Sequence, residues 1–139
     1  MKKVFADADY LIALLNPQEQ LHEKAKDVSQ GLGPARIITT EMVLTEVLAF
    51  YAERGPSLRE AAANVAVQLG SDPNVTIIPQ TSIQFQEAVT YYRQRTDKAW
   101  SLTDCASFLI MREESLTDAL THDHHFEQAG FKALLRSPD

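Results

Sequence analysis

Short apolar runs alternate with longer amphipathic stretches along the chain. KVFAD (3–7), RIITT (36–40), VTIIP (75–79), ALTHD (119–123) and FKALL (131–135) are short, apolar-rich runs that read as strands. ADYLIALL enters a helix directly after the first run. A polar, amphipathic helix follows over 18–32, with Pro17 at its start and Gly31 and Gly33 at its end. EMVLTEVLAFYAERG predicts a long helix closed by Gly55, and SLREAAANVAVQLG another, with Ser57 as N-cap and Gly70 just beyond its end. SIQFQEAVTYYRQR and SLTDCASFLIMREE are helical, and a short helix around HHFEQAG separates the last two strands. Strands this short, separated by helices, predict an α/β fold with a mostly parallel sheet covered on both faces. No linker or low-complexity tract interrupts the pattern, so residues 1–139 are expected to form a single domain.

Composition narrows the class. The chain is 45% apolar and 23% charged, as in folded soluble proteins. Its single cysteine, Cys105, excludes an internal disulfide and any multi-cysteine zinc site, and suits a reducing compartment. The basic start, MKK, resembles a secretory leader, but Asp7 and Asp9 interrupt the apolar stretch that a leader needs. No run approaches the roughly 18 apolar residues of a membrane span. A cytoplasmic protein without a membrane partner is expected. Thirteen basic residues against 19 acidic ones give a net charge of −6, which argues against a broad nucleic-acid-binding face but leaves room for a local basic patch.

Four acids stand in unusual company. In open α/β sheets ligands bind beyond the carboxyl ends of the strands. Asp7 closes the first strand and Asp123 the fourth. Glu46 shares a helical face with Met42, Val43, Ala49 and Phe50, and Asp104 opens a helix continuing CASFLIM. Each has a structural reading. Asp7 or, better placed, Asp9 could cap the first helix. Ser101 and Asp104 fit a capping-box-like pattern, Asp123 a turn, and Glu46 a pair with a buried arginine. Taken together they point further. Two carboxylates about 4 Å apart repel by roughly 4 kcal/mol at an effective dielectric near 20. Several in one cleft require protonation or a cation. Mg²⁺ or Mn²⁺ meets that need with oxygen ligands. Such an ion acidifies water and neutralises a phosphoryl oxygen, both of which phosphodiester hydrolysis requires.

At these acids the sequence resembles a PIN domain, specifically the toxin-type, VapC-like ribonucleases. VFADADYLIALLN, TTEMVLTEVL, WSLTDCASFLIM and ALTHDHHFEQAGF carry the resemblance, in the family's order, over residues 4–131. It implies a three-layer α/β/α domain whose five parallel strands are ordered 3-2-1-4-5. It also implies an acidic quartet at Asp7, Glu46, Asp104 and Asp123, holding Mg²⁺ or Mn²⁺ for endonucleolytic cleavage of structured RNA. An antitoxin partner and a homodimer are further implications. One departure is Ala8, where relatives often carry a hydroxyl. Asp9 then reads as an extra outer-shell acid or as a helix cap. Thr103 and Thr121 stand close before acids and read either as orienting ligands or as packing and capping groups.

Other candidates carry less. THDHH (121–125) invites a zinc site through His122 and His124, but in an extended segment they face away from Asp123, and only His22 lies outside the cluster. Surface histidines are the simpler reading. Arg93, Arg95, Lys98 and Trp100 precede Asp104 closely and read as an RNA contact, against the preference of cations for helix C-termini. SLTD recurs at 115–118, where it reads as a turn. Two rival functions remain: a non-catalytic PIN module binding RNA or protein, and a metal phosphohydrolase acting on a small nucleotide.

Overall fold

The computed structural model describes residues 1–136. Five strands, β1 (Lys2–Ala6), β2 (Ala35–Thr40), β3 (Val75–Ile78), β4 (Asp118–Leu120) and β5 (Lys132–Ala133), pair in parallel in the order 3-2-1-4-5. The connections carry α1 (Ala8–Leu15), α2 (His22–Leu32), α3 (Glu41–Tyr51), α4 (Pro56–Ser71), α5 (Ser82–Gln94), α6 (Leu102–Glu113) and α7 (His124–Gln128), and a 3₁₀ turn follows at Leu134–Arg136. This is the three-layer architecture that the sequence predicts.

β1 lies at the centre, paired with β2 on one edge and β4 on the other. Val4, Phe5 and Ala6 are fully buried, which is why the run is continuously apolar rather than alternating. Helix α1 packs on α2 and α3, and α3 on α4, while α5 packs on α6. An aromatic chain joins several of these elements. Phe108 stands edge-on to Trp100 and to Phe126, both at 4.9 Å, and Phe126 lies 6.2 Å from Phe5. Each such pair is worth about 0.5–1.5 kcal/mol beyond its buried area.

Some local expectations give way to backbone chemistry. The polar helix starts at His22 rather than at 18, after a turn that follows Pro17. Helix α4 starts at Pro56, not beyond Ser57: Gly55 supplies a φ of 99° and proline, lacking an N–H, suits the first turn. Gly70 lies inside that helix. β4 stops at Leu120, so ALTHD is not extended through Asp123; Asp123 instead N-caps α7, accepting the His125 N–H at 2.9 Å. β5 is cut to two residues by the 3₁₀ turn.

Candidate metal centre

The carboxyl ends of β1 and β4 open into a cleft of roughly 660 Å³. It is lined by the acids Asp7, Asp9, Glu46, Asp104 and Asp123 and by the apolar residues Ile12, Ala49 and Phe50. No lysine or arginine lines it.

Asp7 follows the last residue of the central strand. Its backbone N–H donates to the Leu120 carbonyl at 3.1 Å, which fixes its origin at the junction of β1 and β4. Its carboxylate does not cap α1; Oδ2 accepts the Thr121 hydroxyl at 2.8 Å. Burial pushes its pKa well above the usual carboxylate range, the charge of Asp9 adds to this, and the Thr121 bond opposes it. Ahead of it, the Thr39 hydroxyl donates to the Ala6 carbonyl at 2.8 Å and holds the strand end.

Asp9 reaches across to the segment after β4. Its Oδ2 accepts the His122 N–H at 2.8 Å and the Thr121 hydroxyl at 3.4 Å. Oδ1 is buried without a hydrogen-bond partner among the described residues. Burial raises the pKa of Asp9, against these hydrogen bonds. The reading of Asp9 as the better-placed helix cap therefore gives way to a tie between α1 and the loop before α7. Thr121, fully buried, is shared by this network: it donates to the acids and accepts the Asp123 N–H at 3.1 Å.

Asp104 combines structural and chemical roles. Ser101 Oγ accepts its N–H at 3.0 Å, and its own Oδ2 accepts the Ser101 N–H at 3.0 Å, completing a capping box. That same Oδ2 lies 3.0 Å from His125 Nδ1. Burial raises its pKa despite the Ser101 bond, and the charge of Asp123 pushes the same way. Asp123 Oδ1 lies at ion-pair distance, 3.2 Å, from His125 Nδ1, so one imidazole nitrogen is hydrogen-bonded to Asp104 and held close to Asp123.

Glu46 also lines the cleft but is exposed, although Met42 and Val43 beside it are buried. Partial loss of water raises its pKa, a hydrogen bond with Thr103 lowers it, and Asp104 raises it again. The structure thus brings Asp7, Asp9, Glu46, Asp104 and Asp123 to one cleft, with Thr103 and Thr121 beside them.

His125 was not among the sequence candidates. The signal was present in DHHF: an aspartate N-cap curls the chain into a helix and turns the second following residue back towards it. The extended reading of THDHH hid this. His122 and His124 are exposed, while the ligating atoms of Asp123, His124 and His125 lie within 4.8 Å of one another.

The basic segment lies next to this site. Arg95 forms two bonds to Asp97, at 3.0 and 3.1 Å, and its guanidinium stands 4.8 Å over the Trp100 ring. Trp100 is 4% exposed and donates from Nε1 to Gln128 at 2.9 Å, so it packs and offers no free face for stacking. Arg93 is exposed, Lys98 is half-buried, and Tyr92 is the open aromatic. Tyr92, Arg95 and Lys98 border a hollow of roughly 320 Å³ that shares Ala99 with the acid cleft. Cys105 is buried in the core.

The donor set fits a hard divalent cation: five carboxylates converge, with no lysine or arginine in the lining to balance them and the His125 imidazole against only two of them. No helix is long and apolar enough to cross a membrane among the described residues.

Comparison with known proteins agrees with this fold. The 23S rRNA-specific endonuclease VapC20 of Mycobacterium tuberculosis, found in two strains, is 27% identical over 128 residues, covering 92% of this chain and 95% of VapC20. The crystal structure of M. tuberculosis VapC20, described as a Sarcin-Ricin loop cleaving toxin, superposes with a TM-score of 0.81 at 26% identity, over 92% of this chain and 95% of that one. The PIN domain family model matches residues 4–132, and this chain belongs to the PIN domain family.

Proposed function

We propose that this chain is a metal-dependent endoribonuclease that hydrolyses phosphodiester bonds in structured RNA, acting as the toxin of a toxin–antitoxin pair. The observation that carries the reading is the convergence of five carboxylates in a cleft lined by no lysine or arginine. Asp7, Asp104, Asp123 and Glu46 would hold Mg²⁺ or Mn²⁺, directly or through water. When bound, the ion supplies an acidified water and neutralises charge on the phosphate. The chain supplies position. Thr121 fixes the Asp7 carboxylate, and Asp9 fixes the loop that carries Thr121 and His122. Ile12, Ala49 and Phe50 add apolar surface to the lining. Arg93, Arg95 and Lys98 would hold phosphates of the RNA flanking the cut, Arg95 once it leaves Asp97, with Trp100 as the packed support under Arg95.

The names borne by VapC20 favour a ribosomal RNA stem-loop as the first substrate to try. A homodimer in the cytoplasm and a small antitoxin partner complete the proposal.

The test is incubation of the purified chain with a ribosomal RNA stem-loop and, separately, with a mononucleotide, in Mg²⁺, Mn²⁺ or chelator. Cutting of the RNA that stops with chelation is expected. Phosphate release from the mononucleotide alone would make the chain a phosphohydrolase. RNA binding without cutting in either metal would make it a non-catalytic module.

A further inference from the structure

His125 is half-buried at the second position of α7, in the lining of the acid cleft. Its Nδ1 stands 3.0 Å from Asp104 Oδ2 and 3.2 Å from Asp123 Oδ1. Ionised carboxylates accept hydrogen bonds and cannot donate them, so the nitrogen between them carries the hydrogen. That assignment leaves Nε2 without the proton in the neutral ring. The two acids come from different elements, the starts of α6 and α7. Asp104 is otherwise tied to Ser101 beside it, and Asp123 to the His125 N–H. The imidazole is therefore the link from one acid to the other. Its own place is fixed by Phe126, the next residue, which is fully buried against Phe5 and Phe108.

We infer that His125 is a positioning residue whose Nδ1–H clamps the carboxylates of Asp104 and Asp123 into one paired arrangement for the cation. This rests on reading the cleft as a divalent-cation site. Two like charges close together disfavour each other's ionised form, and a donor hydrogen-bonded to one and close to the other offsets part of that repulsion. A donor that fixes them in advance removes part of the ordering cost when a metal arrives. Groups that orient metal ligands from outside typically contribute ten- to hundredfold in metal affinity.

Three variants of the full chain separate this role from its competitors. Asparagine places an amide N–H near the position of Nδ1, glutamine places one near Nε2, and alanine supplies neither. Mn²⁺ affinity is measured by calorimetry and paramagnetic resonance, folding by circular dichroism, and cleavage as separate kcat and KM values. H125A and H125Q are expected to bind Mn²⁺ about ten- to hundredfold more weakly. H125N is expected to return to within a few-fold of the parent, with KM for RNA unchanged throughout.

Equal or tighter Mn²⁺ binding by H125A would overturn the clamp. So would rescue by H125Q in place of H125N, which would assign the role to Nε2. Imidazole nitrogen coupling to bound Mn²⁺ in the parent would make His125 a ligand instead, and would also overturn it. If the parent binds no Mn²⁺, the metal-dependent reading fails and the clamp falls with it. If the parent binds Mn²⁺ but cuts no RNA, the nuclease reading fails alone and the affinity series still decides the clamp.

Discussion

The tetrapeptide SLTD occurs twice, at 101–104 and 115–118, and the two copies bracket the same helix with opposite results. In the first copy Ser101 caps the start of α6 and Asp104 is buried among other acids, its pKa raised by loss of water and by Asp123. In the second, Ser115 follows the end of α6 with a φ of 57°, and its N–H and that of Leu116 bond back to the Arg112 and Met111 carbonyls. Asp118 then opens β4, at the other end of the strand from the acid cleft, with Lys2 at 2.8 Å. Partial burial pushes its pKa up, but the hydrogen bond and charge of Lys2 outweigh that and bring it below the usual range. Local sequence is the same; the end of the sheet and the presence of a cation decide whether an aspartate is a strained charge or a satisfied one.

The largest effect expected from this contrast is on cleavage. D104N should reduce kcat by at least about a hundredfold, a loss comparable to removing one electrostatic group from a transition state. D118N should leave kcat within twofold. Equal losses from both would erase the distinction.

The next effect is on stability and runs with opposite sign in the two copies. In metal-free protein Asp104 has a raised folded pKa, so the native state binds more protons than the unfolded one above the unfolded pKa. Its ionisation therefore costs stability as pH rises from the unfolded pKa through the folded one, and Asp7, Asp9 and Glu46 act the same way. Asp118 has a lowered folded pKa, so its contribution is present above the unfolded pKa and lost as pH falls through the folded one. Denaturant melts across pH, with D104N and D118N beside the parent, should show the acidic-side slope change in opposite directions. Mn²⁺ at a hundred times its Kd should add about 2.7 kcal/mol to the parent. D104N should show a clearly smaller gain at the same concentration.

Two smaller effects concern the serines. S101A should cost about 1 kcal/mol, the usual value of an N-cap side chain, and should disturb Asp104 with it. S115G should gain between a few tenths and about 1 kcal/mol, because glycine accepts the left-handed backbone without a Cβ penalty. Chemical denaturation measures both, and destabilisation by S115G would contradict the reading of that helix end.

The parallel sheet and the burial of Asp7 and Asp104 were legible in continuous apolar runs, whereas the strand order came only from the family resemblance. VFA is short and apolar throughout, as a buried strand is, and CASFLIM continues a longer run of helical length. Glu46 is an intermediate case because its helical neighbours divide: Met42 and Val43 are buried but Ala49 is exposed, so the residue is open on one side while its carboxyl still loses enough water in the cleft to raise its pKa. His125 was missed for a different reason. A strand reading carried through to Asp123 sets alternate faces, whereas the chain leaves the sheet at Leu120 and turns into α7. Trp100 sits in a basic, aromatic segment that suits RNA, yet its indole fills the space over Phe108. Composition reports which groups are available and is silent on which of them the core consumes.

The ring-to-ring chain from Trp100 through Phe108 and Phe126 to Phe5 carries a mechanical consequence. It braces α6 and α7 against the central strand, so the elements that present Asp104, Asp123 and His125 have little freedom to close around a guest. Under the proposed nuclease reading, bending would then fall to the RNA, and a backbone already everted at a hairpin tip would have the least distance to travel.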